Sequence, residues 1–173
     1  GTDTFSQEIE IIGDPTVSFS PDNLTICKAQ PPTYVLDFSD TSIDPTYSAA
    51  PYTPASYNWV VYESNGTTLA NTSYYNYIGG TTSTSPFPKI EFTQYGVYII
   101  KVTVNGNCGG TNTDSFTFTF KQSPVITNTG LNQTICSNSL TQAIPLTSDI
   151  IGTTFEWVAT TTDPITGFPS GIQ

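Results

Sequence analysis

The stretch "DSFTFTFK", Asp114 to Lys121, alternates without a break: Phe116, Phe118 and Phe120 fall on one side of an extended chain, Thr117, Thr119 and Lys121 on the other. Successive side chains of a β-strand point to opposite faces, so this pattern reads as a strand with one buried and one solvated face. The same period runs outward from it. "YGVYIIKVTVNG", starting at Tyr95, turns Tyr98, Ile100, Val102 and Val104 inward and leaves Lys101 and Thr103 to water. "SYNWVVYESNG" sets Tyr57, Trp59 and Val61 on one face and ends at Asn65-Gly66, a hairpin-turn dipeptide. "TYVLDFSD" places Tyr34, Leu36 and Phe38 opposite Asp37 and Ser39. No segment carries a helical stripe, and Gly, Pro and Asn separate the alternating runs.

A second order lies over the first. "PTVSFSPDNLTIC", Pro15 to Cys27, matches "PVITNTGLNQTIC", Pro124 to Cys136, with the same twelve steps from Pro to Cys and an offset of 109 residues. Downstream of each Cys comes an aromatic, one residue and Trp: "YNWV" at Tyr57 and "FEWV" at Phe155. Upstream, "TDTFSQEIEIIGDP" from Thr2 matches "TDSFTFTFKQSP" from Thr113, with two extra residues in the first. Three matching segments in one order define a repeat. Residues 1–13 read as the last strand of a preceding repeat, 14–122 as one complete unit and 123–173 as the first half of another. At about 110 residues and about seven short strands per unit, the expected fold is all-β: tandem immunoglobulin-like antiparallel β-sandwiches.

The run "FTQYGVYIIKVTVNG", followed by Cys108, a Gly pair and an alternating strand, resembles the PKD domain, an immunoglobulin-like module of extracellular proteins, and the "YNW" strand agrees. The family's usual Gly-Asp-Gly loop after this Trp is replaced here by "VVYESNG", which makes the unit PKD-like. The second unit is similar to PKD-like repeats of very large Bacteroidetes surface proteins. The resemblance implies a secreted adhesin at the extracellular cell surface, exported by the type IX system, as the gliding-motility adhesins are. The alternative is a spacer or carbohydrate-binding accessory module of a secreted polysaccharide-degrading enzyme. Neighbouring repeats of the same polypeptide are the expected partners, with surface glycans or the export and attachment machinery as further candidates.

Composition limits the other classes. With no His or Arg, four Lys and a net charge of −10, the chain lacks the cations that phosphate backbones and anionic membranes require, so nucleic acid is not expected as a partner. No run of 18 apolar residues exists to insert in a membrane, and the first twelve residues lack the basic and apolar regions of a signal peptide. Without His the usual general base is missing, and no phosphate loop or metal-spaced Cys/His set occurs, so neither catalysis nor a cofactor is expected. Asp37, Asp40 and Asp44 are oxygen donors of the kind Ca²⁺ takes, as is Asp14 at the unit boundary, but aspartates serve turns equally well and no metal ligand is assigned. Tyr47, Tyr52, Tyr57, Tyr62, Tyr74, Tyr75 and Tyr77 include candidates for a sugar-stacking face, set against burial by alternation. Trp59 and Trp157 are expected in the core, and the sequons at Asn23, Asn65, Asn71 and Asn132 in exposed turns.

Three cysteines complete the reading. Cys27 precedes one strand and Cys108 another, and two such strand ends can lie together in a sandwich, so a Cys27–Cys108 disulfide is expected. It would close a loop of about 80 residues and stabilise the unit by about 4.5 kcal/mol on the chain-entropy argument. Cys136 holds the place of Cys27 in the next unit, so its partner is expected outside this chain.

Overall fold

The computed structural model describes residues 4–40, 42–136, 138–158, 160, 171 and 172. Contacts divide the chain into two units, Gly1–Gln122 and Ser123–Gln173. Among the described residues there are strands and no helix.

The first unit is a sandwich of two sheets. Strands β1 (Val17–Ser18) and β4 (Thr46–Tyr47) form a small antiparallel pair at one end. β2 (Asn23–Lys28), β9 (Thr111–Gln122), β8 (Gly96–Asn105) and β5 (Ser56–Glu63) make a four-stranded sheet in the order β2-β9-β8-β5. β3 (Tyr34–Asp37), β7 (Lys89–Phe92) and β6 (Tyr75–Ile78) make a three-stranded sheet in the order β3-β7-β6. This is the immunoglobulin-like division, in which the second, fifth and fourth strands face the third, sixth and seventh. The leading strand here is split: β1 pairs with β4, and β2 pairs with the last strand. That last pairing is parallel, Asn23 opposite Thr117 and Cys27 opposite Lys121. All the other ladders are antiparallel.

The alternation explains why these segments pair. The long β8–β9 hairpin joins ten residue pairs, from Gly96↔Phe120 to Asn105↔Thr111, and its inner rows hold Tyr98, Ile100, Val102, Val104 and the three phenylalanines, all buried. Across the gap the other sheet supplies Leu36, Ile90 and Phe92, with Phe38 just beyond the end of β3. Rings from the two sheets meet at close range, Phe38 to Trp59 at 4.6 Å and Phe92 to Phe118 at 4.9 Å between centroids. Trp59 is 2% exposed and its indole N–H donates to the Ser85 carbonyl at 2.9 Å, so its one polar atom is satisfied. Beyond β5 the chain turns at Asn65-Gly66, where Gly66 has φ +69°, a value that favours glycine, and Asn65 Oδ1 accepts the N–H of Thr67 and of Thr68.

Residues 4–13, read as the last strand of a preceding repeat, pair with no strand among the described residues, and Phe5, Ile9 and Ile11 are exposed. A lone alternating segment has no ladder to satisfy its backbone, and none of the sheets of the first unit takes it in. Among the described residues of the second unit, regular pairing consists of an isolated bridge, Ile126↔Ser148, and of β10 (Glu156–Trp157) against β11 (Gly171–Ile172). Trp157, expected in a core, is half-buried, and most of its described neighbours are exposed.

The inner row of β9 gives a direct check on register. Phe118 is fully buried between Tyr34, Phe92, Tyr98 and Phe120, so Phe118→Ala should lower unfolding free energy by about 3–5 kcal/mol, while the outward Thr119→Ala should change it by less than about 0.5 kcal/mol. Urea denaturation followed by Trp fluorescence measures both. Equal effects at the two positions would place β9 in the wrong register.

Candidate functional site

The features with most specific chemistry lie at the two ends of the first unit. At the leading end, residues 14–19 alternate, with Pro15, Val17 and Phe19 buried and Asp14, Thr16 and Ser18 exposed. Phe19 fills the end of the core, 5.6 Å from Phe116 and 6.0 Å from Trp59. Its segment must still satisfy its backbone donors. The Val17 N–H donates to Asn112 Oδ1 at 3.2 Å and the Phe19 N–H to Asp114 Oδ2 at 2.9 Å. Asn112 and Asp114 stand on β9 at the same parity as the three phenylalanines, so the inner row changes from apolar to polar where the leading segment crosses it. On the other side Ser48 and Thr16 exchange bonds: the Thr16 N–H donates to Ser48 Oγ and the Ser48 N–H to the Thr16 carbonyl, both at 3.1 Å.

The β8–β9 turn is shaped to receive this segment. A Cβ on Gly110 would lie 1.7 Å from Asp14 Oδ1, and one on Gly106 would lie 2.8 Å from Pro15 Cδ. The proline ring cannot turn aside, so Gly106 favours glycine for close approach, whereas the end of the Asp14 side chain can rotate away from Gly110. The Gly109 N–H donates to the Gly106 carbonyl, and Cys108 sits exposed on that turn.

At the trailing end, Cys27 lies opposite Lys121, one residue before the end of β9. The Tyr95 hydroxyl donates to the Lys28 carbonyl at 2.8 Å and its ring packs on Phe120 at 4.8 Å, closing this end of the core. The expected Cys27–Cys108 disulfide is absent: Cys27, Cys108 and Cys136 are all free and exposed. The cause is the parallel register. β2 runs with β9, which carries Cys27 to the far end of that strand, while Cys108 precedes its start. Ten residue steps of strand, about 33 Å, intervene, whereas a disulfide needs Cα atoms within about 7 Å.

Several of the other candidates are occupied by structural work. Asp37 accepts from Lys89 Nζ at 2.6 Å and from the Ser39 hydroxyl and N–H, and Lys89 first, then Ser39, hold its carboxyl at about 2 against an ordinary 3.8. Asp40 accepts from the Ser42 N–H within its own turn. Among the described residues no group of three acids converges as a metal site, so Asp37, Asp40 and Asp44 are not gathered. Of the tyrosines, Tyr47, Tyr57, Tyr74, Tyr75 and Tyr77 pack partly into the core. Tyr47 meets Tyr57 edge-on at 66° and Tyr75 meets Tyr77 at 80°, so neither pair offers a flat face. Burial first, then the neighbouring Tyr57 and Asp44, pushes the Tyr47 hydroxyl upward. Tyr62 lies under Lys101 Nζ at 5.1 Å. Of the sequons, Asn65 and Asn71 stand in turns as expected, whereas Asn23 opens β2. In the second unit a shallow groove of about 200 Å³ lies between Pro124–Ile126 and Thr153–Glu156, below the size of typical ligand pockets.

No protein-family model matches the sequence. No curated protein matches it either. Among solved structures the chain is similar to murine CRIg, at 12% identity and a TM-score of 0.37, over 64% of this chain and 99% of that one. So slight a likeness carries no argument, and the immunoglobulin-like assignment rests on the strand order itself.

Two measurements follow from this geometry. Asp114→Ala removes the acceptor of the Phe19 N–H and should cost about 1–3 kcal/mol in urea denaturation, with Asp114→Asn recovering most of it because an amide oxygen still accepts. For Asp37, a folded value below the unfolded one means stability present above about pH 4 and lost as pH falls through about 2. Since the pair is solvent-exposed it contributes no more than about 1 kcal/mol. Lys89→Met should return the Asp37 carboxyl toward 3.8, read by NMR titration of its side-chain carbon.

Proposed function

We propose that this chain is a non-catalytic stalk or binding segment of a large secreted, cell-surface repeat adhesin, built from PKD-like sandwiches. The observation that carries the reading is the separation of the ends of the first unit: the chain comes in beside the β8–β9 turn and goes out at the far end of β9. Modules with ends at opposite poles can be strung in series without a long return connection. The repeated Pro-to-Cys segment supports the same view, and the two units begin alike. In the first, Val17 pairs with Tyr47 after Pro15; in the second, Ile126 pairs with Ser148 after Pro124. The resemblance to PKD-like repeats of gliding-motility adhesins supplies the surface location and type IX export.

The direct test is on cells. Antibody raised against this chain should label intact, unpermeabilised cells, and deletion of the gene should reduce their attachment or spreading on a surface by several-fold. Labelling that requires permeabilisation, or unchanged attachment and spreading in the deletion strain, would remove the adhesin reading.

A further inference from the structure

The outer strand of the four-stranded sheet is open on one side. β2 pairs with β9, and among the described residues no strand lies along its other edge. The Thr117 N–H donates to the Asp22 carbonyl at 2.8 Å, which fixes how β2 faces its neighbour. In an extended strand the N–H and C=O of one residue point to the same side, and those of the next residue to the opposite side. Asp22, Leu24, Ile26 and Lys28 therefore bond toward β9, while the backbone groups of Asn23, Thr25 and Cys27 point to the free edge. All three of these residues are exposed. The inner row is incomplete there too: Phe118 and Phe120 of β9 are buried, whereas Leu24 and Ile26, opposite them on β2, are only half-buried. A row of free donors and acceptors beside half-covered apolar side chains is a template for another strand.

The sequence of this edge complements itself. In "DNLTICK", Asp22 to Lys28, Thr25 is the centre: an acid at one end answers a cation at the other, Asn23 answers Cys27 and Leu24 answers Ile26. We propose that β2 pairs antiparallel with β2 of a second copy of this chain, about a two-fold axis at Thr25, joining the two four-stranded sheets into one. The two Thr25 residues exchange N–H···O=C bonds, and Asn23 of each copy exchanges them with Cys27 of the other, which uses the groups that β9 leaves free. Leu24 meets Ile26 of the second copy on the inner face and carries the apolar row across the axis. Asp22 meets Lys28 of the second copy. Lys28 Nζ already donates to the Thr33 carbonyl at 2.5 Å, and an ammonium has further donors for Asp22. Parallel pairing in the same register would instead set Asp22 against Asp22 and Lys28 against Lys28. Charge favours this edge over the rest of the surface as well: copies that each carry a net −10 repel, and two of the four lysines, Lys28 and Lys121, stand here, Lys121 opposite Cys27. The contact is a strand ladder with little apolar area, so the association is weak and reversible. It stands on the first unit alone and does not depend on the adhesin reading.

Sedimentation velocity of the full chain tests this, with reductant present to exclude disulfides and about 150 mM salt to screen the net repulsion, from about 10 μM to 1 mM protein. A reversible dimer is expected to form over that range. Thr25→Pro removes the central donor of the free edge and leaves the bonds to β9, so it should weaken the dimer at least about tenfold. Asp22→Lys and Lys28→Asp change exposed side chains; each alone opposes like charges and should weaken the dimer, whereas an equimolar mixture of the two restores both ion pairs and should dimerise as the unchanged chain does. Urea denaturation of each variant checks that the first unit is still folded. A chain that stays monomeric at the highest concentration would overturn the proposal, as would a dimer that Thr25→Pro leaves intact, or a mixture of the charge variants that stays monomeric. Association through the exposed segment 4–13 would also overturn it: that contact would be lost on changing Phe5, Ile9 and Ile11 to Ser and untouched by Thr25→Pro.

Discussion

The direction of one strand pair governs the first unit. β2 lies parallel to β9, so the strand near the start of the unit and the strand that ends it run the same way. Antiparallel pairing would have brought the trailing end of β2 back to the β8–β9 turn. Parallel pairing sends it to the opposite pole. From that follow the separation of Cys27 from Cys108, the need for a local closure at each end and the placing of the two chain connections at opposite poles.

Each closure uses different chemistry. The trailing end is sealed by Tyr95, whose ring covers Phe120 and whose hydroxyl satisfies a carbonyl of β2. The leading end is sealed by the chain itself. Burying Pro15, Val17 and Phe19 brings backbone donors in with them, and an unpaired buried N–H costs about as much as the contact gains. Asn112 and Asp114 resolve that conflict by replacing the neighbouring backbone with side-chain oxygens. The inner row of β9 is thus a core surface for part of its length and a set of acceptors for the rest.

How much of this was legible in the sequence varies with the type of information. Period-two alternation located β3, β5, β8 and β9 and named their buried residues, because burial on one face of a strand is written in single side chains. Strand direction is not. The pattern "NLTIC" reads the same in a parallel or an antiparallel ladder, and the choice between them decides where Cys27 lies. The acceptors were missed although a signal existed: "TNTDSFTFTF" carries Asn112 and Asp114 at the inner parity, where a purely apolar face would not tolerate them. Trp157 shares its motif with Trp59 yet is half-buried, since a motif marks a strand's inner face and does not set how far that face is covered.

The parallel register also decides how the unit would respond to tension along the chain. A pull on the residues before Asp14 and after Gln122 draws β2 and β9 past each other lengthwise. The backbone bonds of the six register pairs from Asn23↔Thr117 to Lys28↔Gln122 are then loaded together in shear, whereas the antiparallel β8–β9 hairpin, pulled from its open end, would give way one pair at a time. The same arrangement that separates the ends therefore places the loaded bonds side by side, so that extension meets its main resistance before any of the core is exposed.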